Sequence, residues 1–279
     1  MPNFVPYLIL TVISVAILAK TIVQQRQFGY FVLFLSYSGM VYIAELFVMV
    51  LGNCYVYKPE VLSIAYYDHI LGAIVSNLFV IPALGAAAAV YHLKVRWLFI
   101  FAVTLVGVEI LFEWLGIYYA NWWRKEYTFI AVFFFFILSR VWLWILQTGK
   151  RWVQFLSLWM QGWAGAATVM YTMSVIGIRY YQYGFFDNPY RDDIFISALL
   201  ALLKGLIFAV GVFFIRKLRY RLLTPLFVFG ADMPLYVSGV LVIEIQFWLY
   251  SIIYLMLGLL LLWWNHYACN VFRRMRQSL

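Results

Sequence analysis

Charge is what this sequence has least of. Asp, Glu, Lys and Arg make up 11% of its 279 residues, against about 25% in a soluble globular domain. With 66% hydrophobic residues and 21% aromatics, that scarcity excludes an ordinary water-soluble fold and indicates a polytopic membrane protein. Cysteine is nearly absent too: Cys54 and Cys269 are far apart and match no metal or redox spacing, so both are expected as free thiols. The histidines His69, His92 and His266 lie at the ends of different apolar segments, which argues against a metal triad. No glycine-rich phosphate loop and no nucleophile elbow is present. Neither a cofactor nor a metal is therefore expected. The N-terminus lacks the basic stretch of a signal peptide, and Lys20 is the first cation, so the first apolar run reads as a retained helix. Neither end carries a lipidation motif.

What is present is a series of apolar runs of the length, about 20 residues, that a membrane crossing needs. They lie near 4–23, 28–51, 70–92, 97–119, 127–148, 152–178, 194–215, 222–243 and 246–268. Gly230, Asp232 and Pro234 interrupt the eighth, and the turn near Glu244–Gln246 is scarcely polar. The expected fold is an all-α polytopic transmembrane helix bundle of eight or nine spans, the eighth broken or re-entrant. We expect one integral membrane domain, 1–279, and see no internal repeat.

Orientation follows from the cations. On the side of Lys20 lie ten of them (Lys20, Arg26, Lys94, Arg96, Lys150, Arg151, Arg216, Lys217, Arg219 and Arg221) and no acid. The opposite loops hold five bases and six acids. The first side is therefore expected to be cytoplasmic, with the N-terminus outside. Nine spans also place Arg273, Arg274 and Arg276 inside, which favours nine and a cytoplasmic C-terminus. The net charge of +9 is explained by this bias, so nucleic acid is not an expected partner. Membrane lipids are, and other membrane proteins are admissible. The outer loops NCYVYKPEVLSIAYYDH, ANWWRKEYTF and RYYQYGFFDNPYRDD are rich in Tyr and Trp, which reads most simply as an aromatic belt at the headgroups.

Charges that lipid would penalise fall within the apolar segments, foremost Glu109, Glu113, Arg140, Lys204 and Asp232. A charge at the bilayer centre costs at least about 2.5 kcal/mol, so each must find a partner or a cavity. Glu109 and Glu113 are four apart and share a helical face; Arg140 is their expected partner. Glu45, Asp68 and Asn77 fall near the same end of neighbouring segments. Glu45, Asp68, Asn77, Glu109, Glu113 and Arg140 are thus candidates to line a polar funnel. Lys204 and Asp232 form a second candidate, at a broken helix whose free carbonyls would coordinate a solute. The plainer reading of both is a charge network that fixes helix packing. Asp187, Asn188, Asp192 and Asp193 superficially resemble an Asp-rich metal motif but read better as an outer turn.

YKPEVLSIAYYDHILGAIVSNLFVIP (57–82), VEILFEWLGIYYANWW (108–123) and YTFIAVFFFFILSRVW (127–142) resemble an uncharacterised family of small multi-pass membrane proteins from endospore-forming Gram-positive bacteria. The likeness covers roughly residues 28–150, leaving 151–279 as additional helices. It implies a bacterial cytoplasmic membrane and a link to sporulation, but no chemistry.

Three functions are compatible with these features. A transporter or channel-like protein for a small solute or ion explains the buried charges. A non-catalytic assembly or scaffold subunit explains the lack of repeats and of any soluble domain. An intramembrane enzyme acting on lipid lacks a nucleophile, a metal cluster and a cofactor motif. The first is preferred, the second follows closely, and catalysis is the least favoured.

Overall fold

The computed structural model describes residues 2–275; Arg276 lies outside the described residues. Among the described residues the chain is all-α apart from four strands of three residues each, and it divides into two compact units, built on Met1–Val153 and on Gln154–Arg274.

The first unit holds α1 (Phe4–Gln25), α2 (Gly29–Leu51), α3 (Ala65–Val90), α4 (Val95–Trp114) and α5 (Lys125–Gln147). Strand β1 (Tyr55–Tyr57) follows α2 and pairs antiparallel with β2 (Tyr118–Ala120), which joins α4 to α5; Tyr57 stands opposite Tyr118. The small residues of α3 are why the helices close so tightly around it. Ala83 and Ala86–Ala89 are buried, and a methyl group on Gly85 would come within 2.9 Å of Phe135 and Ser139 on α5. Small side chains let helix backbones approach where lipid supplies no hydrophobic drive. Two stretches depart from α geometry: Leu46–Leu51 at the end of α2 and Val75–Val80 inside α3 wind as π-helix.

The second unit holds α6 (Arg151–Val175), β3 (Arg179–Tyr181), α7 (Pro189–Phe214), the single turn α8 (Leu218–Arg221), α9 (Leu223–Val237), β4 (Leu241–Ile243) and α10 (Phe247–Arg274). Strands β3 and β4 pair antiparallel, with Tyr181 opposite Leu241. Here α6 and α7 meet at glycines: a methyl on Gly205 would lie 2.7 Å from the Trp163 backbone nitrogen.

Among the described residues, seven helices, α1–α5, α7 and α10, are long and apolar enough to cross a membrane. The remaining two expected spans differ from them. Helix α6 is long enough, at 25 residues, but is diluted by Gln154, Ser157 and Gln161. Helix α9 has only 15 residues. The expected break in the eighth segment is not there: α9 runs unbroken through Gly230, Asp232 and Pro234. Pro234 lies in its last turn, so the missing donor deprives only the Gly230 carbonyl of its helical partner. The chain then leaves the helix through Gly239, whose φ of 76° suits glycine. The fourth segment is likewise shorter than expected, ending at Trp114, because Gly116 (φ 71°) turns the chain into β2.

An internal repeat, not evident in the sequence, is present in the structure. Leaving α1 and the single turn α8 aside, each unit runs helix, strand, helix, helix, strand, helix. The correspondence reaches single hydrogen bonds. In the first unit the Asp68 carboxylate accepts from the amides of Glu60, Val61 and Leu62, at 2.8, 2.8 and 2.9 Å. In the second, Asp192, 124 positions later, accepts from Tyr183, Gly184, Phe185 and Phe186. Glu60 and Gly184, at matching positions, both have positive φ (55° and 85°). The amide of Tyr57 is held by His69 Nδ1 at 3.0 Å, and that of Tyr181 by Asp193 Oδ1 at 2.8 Å. The strand pairs are extended by the same bonds, Lys58 N to Ile117 O and Gln182 N to Val240 O.

Candidate functional site

The first unit encloses a cavity of about 200 Å³, large beside the 150 Å³ that holds a benzene molecule in an apolar protein core. Its walls come from α1, α2, α3, α4 and α5, and the strand pair closes one end. Residues two apart on a strand share a face, so Tyr55 and Tyr57 present their rings together, and Tyr118 joins them from β2. The ring centroids lie 5.2–5.5 Å apart. Trp123 packs edge-on against Tyr55 at 5.7 Å.

Two carboxylates enter this aromatic chamber. Glu45, where α2 passes into its π turn, accepts a hydrogen bond from the Tyr55 hydroxyl at 2.6 Å. Glu109 on α4 accepts one from Tyr118 at 3.2 Å through Oε1. Its other oxygen, Oε2, is buried and makes no direct hydrogen bond among the described residues, although the Thr128 hydroxyl, which accepts from Trp123 Nε1, stands beside the carboxylate. Burial holds the Tyr55 and Tyr118 phenols neutral well above the ordinary tyrosine range, and the nearby glutamates push the same way. Both phenols therefore act as donors to the carboxylates. Asn77 and Ser76, on the π turn of α3, add further polar groups, as do Tyr7 on α1 and Thr128 on α5. Among the described residues, no lysine, arginine or histidine lines the cavity. Wide turns of this kind occur often at functional sites, where they re-aim side chains.

Of the six residues expected to line a funnel, Glu45, Asn77 and Glu109 line this cavity and the other three do not. Asp68 is spent on the loop amides after β1. Glu113 pairs with Lys125 at 2.7 Å, in a half-exposed contact at the helix ends. Arg140 is not the partner of either glutamate. Because α4 ends at Trp114 and α5 begins at Lys125, Glu109 lies about 8 Å from the shared end and Arg140 about 22 Å, at 1.5 Å per residue. Those depths do not meet. The cavity tyrosines and Trp123 were missed because their loops read as an interfacial belt; the spacing of Tyr55 and Tyr57 was the available signal.

In the second unit the charges neutralise one another. Lys204 Nζ lies 2.7 Å from Asp232 Oδ2, both side chains almost fully buried, and the Tyr254 hydroxyl donates to the same oxygen at 2.6 Å. Tyr181 stands 3.3 Å from the ammonium, and the Tyr254 ring centroid 5.3 Å from it. Lys204 and Tyr254 border only a small void of about 30 Å³. Nearby, the buried Arg179 contacts Asp193, Ser197 and the Met170 carbonyl, an arrangement not foreseen. Asn188 caps α7, and Asp192 and Asp193 organise the preceding loop, so these three residues of the acidic cluster are turn architecture.

No protein-family model matches the chain, and no curated protein or solved structure matches it significantly.

Proposed function

We propose that this multi-pass membrane protein binds a small solute in the cavity of the first unit and moves it across the bilayer. One observation carries the reading: a 200 Å³ chamber lined by Glu45 and Glu109, with no lysine, arginine or histidine among its described lining residues. Two carboxyl groups bordering one apolar space are costly to ionise without a nearby cation, and a bound solute would supply the missing partner. Ligand pockets combine an apolar, aromatic lining with a few convergent polar groups, as this one does.

In our reading the membrane is the bacterial cytoplasmic membrane. The nine helical rods, α1–α7, α9 and α10, are nine crossings, with the N-terminus and both strand pairs outside and the C-terminus in the cytoplasm. The distribution of Lys and Arg supports this orientation. An assembly role is the second reading. The self-neutralised Lys204–Asp232 pair favours it for the second unit.

The test is flux. Purified protein reconstituted in vesicles should carry a small solute, and Glu109→Gln should abolish that flux at unchanged protein recovery. If no solute binds or moves while partner membrane proteins co-purify and are lost with Glu109→Gln, the assembly reading replaces it.

A further inference from the structure

The two units are variants of one design, and the second shows what the first leaves out. Position by position, Asp232 corresponds to Glu109: each lies nine residues before its strand, at Leu241 and Tyr118. Tyr181 corresponds to Tyr57 and Tyr254 to Ala131, at the offsets of their own strands. The π turn in α3 shifts that helix by one residue, so Lys204 corresponds to Val80 or Ile81; both line the cavity. In the second unit the space beside the carboxylate is thus filled by a lysine and a phenol. In the first it is empty, because aliphatic side chains and an alanine stand in their places. The π turn of α2 likewise sets Glu45 against Val169 or Met170, so the open chamber gains a second acid where the filled one has none.

We infer that the first-unit cavity takes a small organic ammonium ion, its charge neutralised by Glu45 and Glu109 and its apolar body packed against Tyr55, Tyr57 and Tyr118. The inference rests on the solute-binding reading above and names the class of solute. Lys204 supplies the internal precedent: its side chain is a butylammonium chain bound to an aspartate, beside tyrosines, in the equivalent place. Rings around a desolvated cation add cation–π attraction, and the first unit offers more of them than the second. A neutral solute would leave two carboxylates in low dielectric without a counter-charge, and an anion would add a third negative group. The missing phenol of Tyr254 leaves room for a ring, so an arylalkylammonium ion fits better than a simple alkyl one.

The probe copies the lysine side chain. Full-length protein in detergent is titrated calorimetrically with butylamine, phenethylamine, butanol and butyrate. Butylamine should bind saturably, phenethylamine more tightly, and butanol and butyrate about tenfold or more weakly, the scale of losing one partner of a buried charge pair. Glu109→Gln should weaken butylamine about as much. Val80→Lys or Ile81→Lys, which would build the second unit's arrangement into the first, should abolish binding while circular dichroism and elution volume stay unchanged. Should either lysine variant fail to fold, the other and Glu45→Gln carry the test. Butanol binding as well as butylamine, with Glu109→Gln indifferent, would overturn the ammonium assignment yet leave a solute site. Absence of saturable binding of all four probes to folded protein would overturn both.

Discussion

Glu109 and Asp232 occupy one position in two copies of the same helix–strand unit, yet Asp232 is locked to Lys204 at 2.7 Å while Glu109 lines a cavity with no lysine, arginine or histidine among its described lining residues. The buried charge that composition makes so conspicuous therefore has two different fates. In the second unit it is consumed by the fold. In the first it remains available.

The locked pair sets a stability prediction. Lys204→Met leaves Asp232 buried with tyrosine contacts but no cation, and breaking one side of a buried pair costs about 3–5 kcal/mol. The double variant Lys204→Met with Asp232→Leu removes both charges, and replacing a whole pair with apolar groups is close to neutral. Thermal unfolding followed by tryptophan fluorescence should therefore rank the double variant above the single one. Equal losses would mean that the two charges act independently.

Asp68 and Asp192 should behave alike despite lying in different units. Each gathers loop amides after its strand, and a hydrogen bond to a charged group is worth about 1.5–3 kcal/mol. Asp68→Ala and Asp192→Ala should each destabilise by about 3 kcal/mol and open the adjacent loop to limited proteolysis, at 58–64 and 182–188 respectively. A protease pattern identical to wild type in either variant would contradict the shared role.

The helical architecture was legible because apolar runs of membrane-spanning length leave few alternatives. The repeat was not, because its conserved content is mostly backbone hydrogen bonding. Between residues 55–70 and 179–194 only Tyr57/Tyr181, Tyr66/Tyr190, Asp68/Asp192 and Ile70/Ile194 are identical. The strand pairs were hidden for a related reason: three-residue strands rich in tyrosine have the composition of a headgroup belt. Of the site, Glu109 stood out by its cost in lipid and Glu45 by its place near the same end of its segment, whereas the depth of Glu109 depended on a helix end set by Gly116 and β2. An error of five residues at one helix end was enough to pair Glu109 with Arg140 instead of with Tyr118.

Glu113 and Arg140 supply the contrast with Glu109. The Glu113–Lys125 pair is partly exposed, with side chains at 30% and 42% of full accessibility, and such pairs contribute about 0–1 kcal/mol. Glu113→Gln should cost less than about 1 kcal/mol and shift butylamine affinity by no more than about twofold. Arg140→Gln, deeper and outside the cavity lining, should also spare the affinity. A loss in either variant as large as that of Glu109→Gln would place the binding determinant at the helix ends rather than in the chamber.

Glycine exchanges separate packing from conformational freedom. A methyl on Gly205 would meet the Trp163 backbone nitrogen at 2.7 Å, and backbone cannot rotate aside as a side chain can. Helices α6 and α7 must then part, so Gly205→Ala should cost about 1–3 kcal/mol, the usual penalty of overpacking. Gly107, within α4, has nothing within 4 Å of the added methyl. There the substitution only stiffens the helix, and Gly107→Ala should stabilise by about 0.5–1 kcal/mol. Opposite shifts in midpoint temperature, measured in one detergent, are the expected result. A destabilising Gly107→Ala would mean that this face of α4 is covered by another molecule rather than by lipid.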